Sequence, residues 1–150
     1  MITDMGGTNA TAILDLDFGG NLYDVTFIED TAFNVYGDPL DPDFVSIDVV
    51  AAAVDRVNEE LNLEPGVSTV GPSADNEFDI AYVLGPDYIS AEGRFTEGWF
   101  PGDASDPLTG VTIRTWAKFT VVPEPGTALL MGLGLAGLGA AGRPRRQTTD

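Results

Sequence analysis

The sequence predicts an α+β fold: an antiparallel β-sheet of four to six strands with one packed helix, plus a C-terminal transmembrane helix. Three patterns lead to this prediction. Apolar and polar residues alternate over residues 111–121, as in a strand with one buried face. Apolar residues recur at helical spacing over residues 47–61. Residues 127–142 contain no charged side chain, which is typical of a segment that enters a membrane.

Several strands are expected before the last one. Alternating patterns over residues 12–18 and 22–28 flank Gly19-Gly20-Asn21, and together they predict a β-hairpin. Residues 78–84 alternate in the same way, and a short strand is expected at residues 94–96. The helix is expected to begin after Ser46 as N-cap and to end at Glu64-Pro65-Gly66, about sixteen residues in all.

Charge divides the chain into two parts. Residues 1–122 hold 22 acidic and 4 basic side chains, a net charge of −18, although the whole chain carries −17. Such a charge repels phosphate backbones, so nucleic-acid binding is excluded. With 43% hydrophobic residues the chain can form a core. We therefore expect one acidic domain over residues 1–122 and a separate signal and anchor over residues 123–150.

Two residue types are missing from the sequence. It contains no cysteine and no histidine, which excludes Ser-His-Asp and Cys-His catalysis, zinc sites built from those ligands, and disulfides. No cofactor is expected. The first residues after Met1 have neither a basic segment nor an apolar one, so we expect that a signal peptide lies upstream of this start.

The C-terminal segment has three consecutive parts. Pro123, Glu124 and Pro125 come first; the two prolines fix φ and hold an extended conformation that a protease or transpeptidase can grip. The uncharged run over residues 127–142 follows and would span roughly 24 Å as a helix. Three arginines close the segment: Arg143, Arg145 and Arg146. By the positive-inside rule they form a cytoplasmic stop, with the rest of the chain on the other side.

This arrangement resembles a known family. Val-Pro-Glu-Pro-Gly-Thr, a Leu/Gly/Ala run and an arginine cluster at the extreme C-terminus look like the PEP-CTERM sorting signal of Gram-negative bacteria. The resemblance implies recognition by an exosortase, a membrane-embedded cysteine protease that cuts near Pro-Glu-Pro. It also implies transient anchoring in the inner membrane, release to the cell surface, and association with exopolysaccharide and biofilm matrix.

Acidic residues raise two further candidate sites. Asp38, Asp41 and Asp43 could offer oxygen ligands to Ca²⁺, but Asp beside Pro is also typical of a solvated turn. Asp15 and Asp17 resemble the start of an EF-hand loop. Because the required bidentate Glu is missing, a hairpin turn explains them better.

Aromatic and basic residues suggest two further candidate sites. Trp99, Phe100 and Trp116 could stack on sugars or, more commonly, be core residues. Arg114 and Lys118 share a strand face with Trp116, and cross-strand pairing with acidic neighbours is favoured there over a carbohydrate or anion site.

These observations favour a non-catalytic exported protein that is sorted through its C-terminus to the surface or the matrix. A small extracellular hydrolase using two carboxylates is an alternative, although the pattern designates no pair among 22 acidic residues. A calcium-dependent adhesive or carbohydrate-binding module is another.

Overall fold

The computed structural model describes residues 2–4, 8–37, 41–84, 87–102, 106–107 and 113–123, which form a sheet with two helices. In chain order the elements are β1 (Ile2–Asp4), β2 (Asn9–Phe18), β3 (Asn21–Thr31), α1 (Ala32–Tyr36), α2 (Ile47–Leu63), β4 (Thr69–Val70), β5 (Glu77–Leu84), β6 (Asp87–Phe95), β7 (Trp99–Pro101), β8 (Asp106–Pro107) and β9 (Ile113–Val121).

The sheet is mixed, and its last strand lies in its middle. The strand order is β1-β2-β3-β9-β5-β6-β7, with β4 beside β2 and β8 beside β6. Strand β9 is antiparallel to β3 and parallel to β5, and β4 is parallel to β2. The last described strand, β9, therefore lies between β3 and β5, which both come earlier in the sequence.

The prediction of an antiparallel sheet of four to six strands is wrong. The described residues contribute nine strands, and two of the pairings are parallel. Strands β1, β4, β7 and β8 have only two or three residues each, too few for a detectable alternation. The direction of a pairing depends on chain connectivity, which local periodicity does not encode.

The predicted hairpin is present as β2 and β3. Gly19 and Gly20 adopt positive φ values of 60° and 82° in the turn, where glycine carries no steric penalty. The register shifts between Ile13 and Leu16. Asp15 in this bulge has a φ of 56°, and its amide donates to the Asp24 carboxylate at 3.1 Å.

The predicted helix is α2, and it covers one side of the sheet. Ser46 is its N-cap, as expected, but the serine side chain makes no capping hydrogen bond. We call the covered side the helix face. Its buried residues form the main core and include Val54, Val57 and Leu61 from α2. The same core holds the alternating strand residues Phe27, Phe78, Ile80, Tyr82, Ala117 and Phe119.

The opposite side of the sheet, which we call the charged face, holds a smaller cluster under α1. Trp116 is fully buried there, and its ring meets Tyr36 edge-on at 5.6 Å between centroids. The short helix α1 was not predicted, because five residues carry too little periodicity. Since β9 buries Ala117 on one face and Trp116 on the other, it is an interior strand with two covered faces.

The transmembrane helix expected over residues 127–142 lies outside the described residues. Within the part of the chain that the structure describes, neither helix is long and apolar enough to cross a membrane.

Candidate functional site: the exit of the C-terminal strand

Strand β9 is held along its whole length by β3. Nine residue pairs align in register, from Tyr23 opposite Val121 to Thr31 opposite Ile113. The sequence favours this pairing because β9 is rich in β-branched and aromatic residues. The end of β9 is therefore fixed in position by a strand that lies ninety residues earlier in the chain.

The ladder ends immediately before the predicted motif. The Val122 amide donates to the Leu22 carbonyl at 2.9 Å, which continues the β3–β9 pairing by one residue. Pro123 comes next and is exposed. Proline has no backbone N–H to donate, so it cannot extend the ladder through its own amide. No flexible linker separates the sheet from the motif.

Apolar side chains surround this exit. Leu22 is 41% exposed and Val121 is 57% exposed, while Val122 is half-buried. We call Leu22, Val121, Val122 and Pro123 the exit rim. Leu22 is the second residue of β3, close to the hairpin turn, and only the pairing of β3 with β9 brings it to the exit.

The other edge of β9 near the exit is closed by the segment before α2. Phe44 forms a parallel bridge to Tyr82 of β5, and its ring lies 5.0 Å from that of Phe119. The Asp43 carboxylate accepts from the Phe119 amide at 2.9 Å and from the Lys118 ammonium group. Burial raises the pKa of Asp43, and both hydrogen bonds oppose that shift. Asp43 thus occupies a position that a strand partner would otherwise fill.

Of the predicted sorting residues, the structure describes Pro123, which is exposed at the exit. Glu124 and Pro125 lie outside the described residues. The same holds for the predicted cytoplasmic stop, Arg143, Arg145 and Arg146.

The predicted pairing with carboxylates is confirmed, across strands for Arg114 and with the segment before α2 for Lys118. Arg114 Nη1 lies 3.2 Å from Asp79 Oδ1, and Lys118 pairs with Asp43. Burial raises the pKa of Asp79, against the effect of Ser90 and Arg114. On the same face Arg94 Nε lies 2.7 Å from Glu92 Oε1. Three of the four basic side chains that precede Pro123 are thus bound to carboxylates on the charged face.

The tryptophans are core residues and not sugar platforms. Trp99 is 4% exposed and Trp116 is 0% exposed. Their indole N–H groups donate to the carbonyls of Val67, at 3.1 Å, and Asp30, at 2.9 Å. The side chain of Phe100 is outside the described set. Each tryptophan is packed in the core and donates one hydrogen bond, so neither indole ring is accessible to a sugar.

The structure offers little support for the acidic metal candidates. Asp43 is engaged by Lys118 and Phe119, Asp41 is exposed, and Asp38 lies outside the described residues. Among the described residues, no group of three or more Asp or Glu side chains is arranged to hold a metal ion. Asp15 and Asp17 belong to the bulged hairpin, as the turn interpretation predicts.

A shallow pocket of about 210 Å³ lies at the C-terminal end of α2. Leu61, Val67 and Phe95 line it, and the exposed Glu64 and Glu97 lie at its edge. Helix carbonyls add partial negative charge there, and the last turn of α2 contains no basic residue. Two exposed carboxylates and the helix carbonyls therefore make the pocket electronegative.

The comparison with protein families identifies the segment that continues from β9. The family model of the PEP-CTERM protein-sorting motif matches residues 121–146. The C-terminal segment carries a PEP-CTERM protein-sorting motif. The match begins at the last residue of β9 and includes the predicted motif and arginines. No curated protein and no solved structure matches the chain significantly.

The PEP-CTERM motif implies an exported protein that an exosortase processes and that is sorted to the cell envelope. Sequence reasoning found Pro123, Glu124 and Pro125 but did not place Leu22 or Asp43 at the exit; it had named Asp43 only as a candidate Ca²⁺ ligand. A leucine after a Gly-Gly-Asn turn marks the start of a strand, but nothing local indicates which strand it will meet.

Proposed function

We propose that residues 1–122 are a non-catalytic cargo domain, delivered through the PEP-CTERM signal to the cell surface and associated there with exopolysaccharide. One observation carries the proposal: the described ladder ends at Val122, immediately before Pro123. A cut near the motif leaves every described strand pairing intact, so the domain would leave its signal behind without losing part of its sheet.

The chemistry of the charged face supports a non-catalytic role. Asp79 and Glu92 lie opposite each other on β5 and β6, as a two-carboxylate hydrolase would need. Each carboxylate, however, is bound by an arginine, Asp79 by Arg114 and Glu92 by Arg94. Carboxylates held in ion pairs are poorly placed to transfer protons, and they are better explained as structural groups.

The test of sorting is to replace Pro123, Glu124 and Pro125 with alanine in the full-length chain, in a host that carries an exosortase. The variant loses the extended conformation that a protease would bind. We therefore expect the unprocessed form to accumulate in the cells, as detected by immunoblot. The matched control is Glu64→Ala with Pro65→Ala, an acid-proline step in an exposed turn far along the chain. Normal processing of the triple variant would refute the proposed role of the motif.

The test of polymer association is retention of the full chain on neutral, anionic and amine-bearing polysaccharides. A net charge of −18 before Pro123 favours amine-bearing polymers, and salt should weaken their binding. Glu64→Gln with Glu97→Gln removes two charges at the pocket, and Asp55→Asn with Glu59→Gln removes two charges from α2 outside the pocket. Equal retention of the full chain on all three polymers would argue against charge-driven association.

A further inference from the structure

We infer that the exosortase contacts the exit rim of the folded domain as well as the motif. Leu22 is the residue of the domain outside the signal that it recognises. This inference rests on the proposed function, since it concerns how the same signal is engaged. It assigns an interaction surface to a part of the chain about one hundred residues away from the signal in sequence.

Distance along the chain is the first argument. Val122 is bonded to Leu22, so Pro123 to Pro125 can reach at most about 10 Å beyond the last sheet bond, at roughly 3.3 Å per extended residue. A standard protein interface buries about 800 Å² per partner and so extends roughly 15 Å from its centre. An enzyme centred on the motif must therefore cover the end of the sheet.

The composition of the rim is the second argument. Leu22 is 41% exposed and lies opposite the half-buried Val122. Val121 pairs with Tyr23 and so belongs to the other face of the sheet. The domain has a net charge of −18, and it also exposes other large apolar side chains such as Val45 and Leu63. Asp17 is paired opposite Leu22 in the hairpin register, and Asp24 follows two residues after it. An apolar centre bordered by charged groups is the usual anatomy of a docking surface.

The rigidity of the exit is the third argument. Strand β3 fixes one edge of β9, and the Asp43 carboxylate fixes the amide of Phe119 on the other edge. The rim therefore has one geometry relative to the start of the motif. A preformed surface costs little conformational entropy on binding.

The decisive experiment compares two glutamates introduced at opposite ends of the β3–β9 pair. Leu22→Glu alters the rim, while Ile113→Glu alters a 63% exposed residue at the far end of β9. Processing of the full-length chain is followed by pulse-chase in an exosortase host. We expect Leu22→Glu to slow processing on the order of tenfold, as for an interface contact, and Ile113→Glu to leave the rate unchanged.

A spacer separates contact from misfolding. Six residues, Gly-Ser-Gly-Ser-Val-Val, are inserted after Val122, so that two valines still precede Pro123. With the domain moved away, Leu22→Glu should no longer change the rate, whereas a folding defect would persist. The inference is overturned if Leu22→Glu is processed at the wild-type rate, if Ile113→Glu is slowed equally, or if the effect of Leu22→Glu survives in the spacer background. Processing of the alanine triple variant would instead refute the proposed function.

Discussion

The two faces of the sheet are stabilised by different physics. On the helix face, α2 packs a continuous apolar core on the strands, with Phe78 and Ile80 fully buried. On the charged face, the short helix α1 covers one cluster around Trp116, and ion pairs such as Arg114–Asp79 hold the neighbouring positions. Strand β9 contributes to both faces through alternate residues.

The contrast shows where a strongly acidic domain places its few cations. Arg94, Arg114 and Lys118 lie on the charged face, each against a carboxylate that burial makes harder to ionise. Burying a charge is costly unless a partner is present. These ion pairs therefore offset the desolvation cost of their charges and add little net free energy of unfolding. The helix face should therefore dominate the free energy of unfolding.

The largest expected effect tests that dominance. Phe78→Ala removes a 0% exposed ring that contacts the rings of Phe27 and Trp99. The free energy of unfolding should fall by about 3–5 kcal/mol, measured by urea titration. Phe33→Ala, at a 37% exposed position on α1, is the control and should change it little. Similar losses in the two variants would remove the distinction between the faces.

The next effect concerns the charged face. Asp79→Asn removes the negative charge that faces Arg114, at a site where the aspartate is 4% exposed. Because burial raises the pKa of Asp79, its ionised form is disfavoured in the folded state. The neutral amide should therefore leave the free energy of unfolding at neutral pH unchanged or raise it by about 1 kcal/mol. Glu77→Gln, a half-exposed partner of Arg94, should cost less than about 1 kcal/mol. A loss of more than about 2 kcal/mol in Asp79→Asn would show instead that the ion pair with Arg114 stabilises the fold.

A third variant should increase the stability of the helix face. Asn58 of α2 is 3% exposed on the helix face, and neither of its amide atoms has a hydrogen-bond partner among the described residues. Asn58→Leu should raise the free energy of unfolding by about 1–2 kcal/mol, since an unsatisfied buried amide is removed. Asn62→Leu should lower it, because Asn62 exchanges two 2.8 Å hydrogen bonds with the Trp99 backbone. Destabilisation by both would show that Asn58 is satisfied.

The smallest effect is a dependence on pH. Burial raises the pKa of Asp43, Asp79 and Glu92 above their ordinary values of 3.8 and 4.5. A raised folded-state pKa gives stabilisation that is complete below the unfolded value and is lost as pH rises through the folded value. The thermal midpoint should therefore rise as the pH is lowered from about 7 towards the unfolded-state values of about 4, at constant ionic strength. Asp79→Asn should flatten this dependence; an unchanged slope would assign it to other groups.

Sequence patterns were informative where residues act locally. The hairpin around Gly19 and Gly20, the helix after Ser46 and the motif at Pro123 all follow from neighbouring residues. The mixed sheet does not, because the placement of β9 between β3 and β5 depends on contacts across most of the chain. The role of Leu22 was hidden for the same reason. The pairing of Arg114 and Lys118 was predictable in kind from the charge imbalance, but the partners Asp79 and Asp43 were not.

The central position of β9 also governs when the domain can fold. Until this strand has been synthesised, the β1–β2–β3 unit and the β5–β6–β7 unit have no strand between them, and the buried Trp116 is missing. Such long-range closure is slow compared with local pairing. Translation thus yields an incomplete sheet until almost the whole chain has left the ribosome. For an exported protein, this delay lengthens the time during which the nascent chain is incompletely folded.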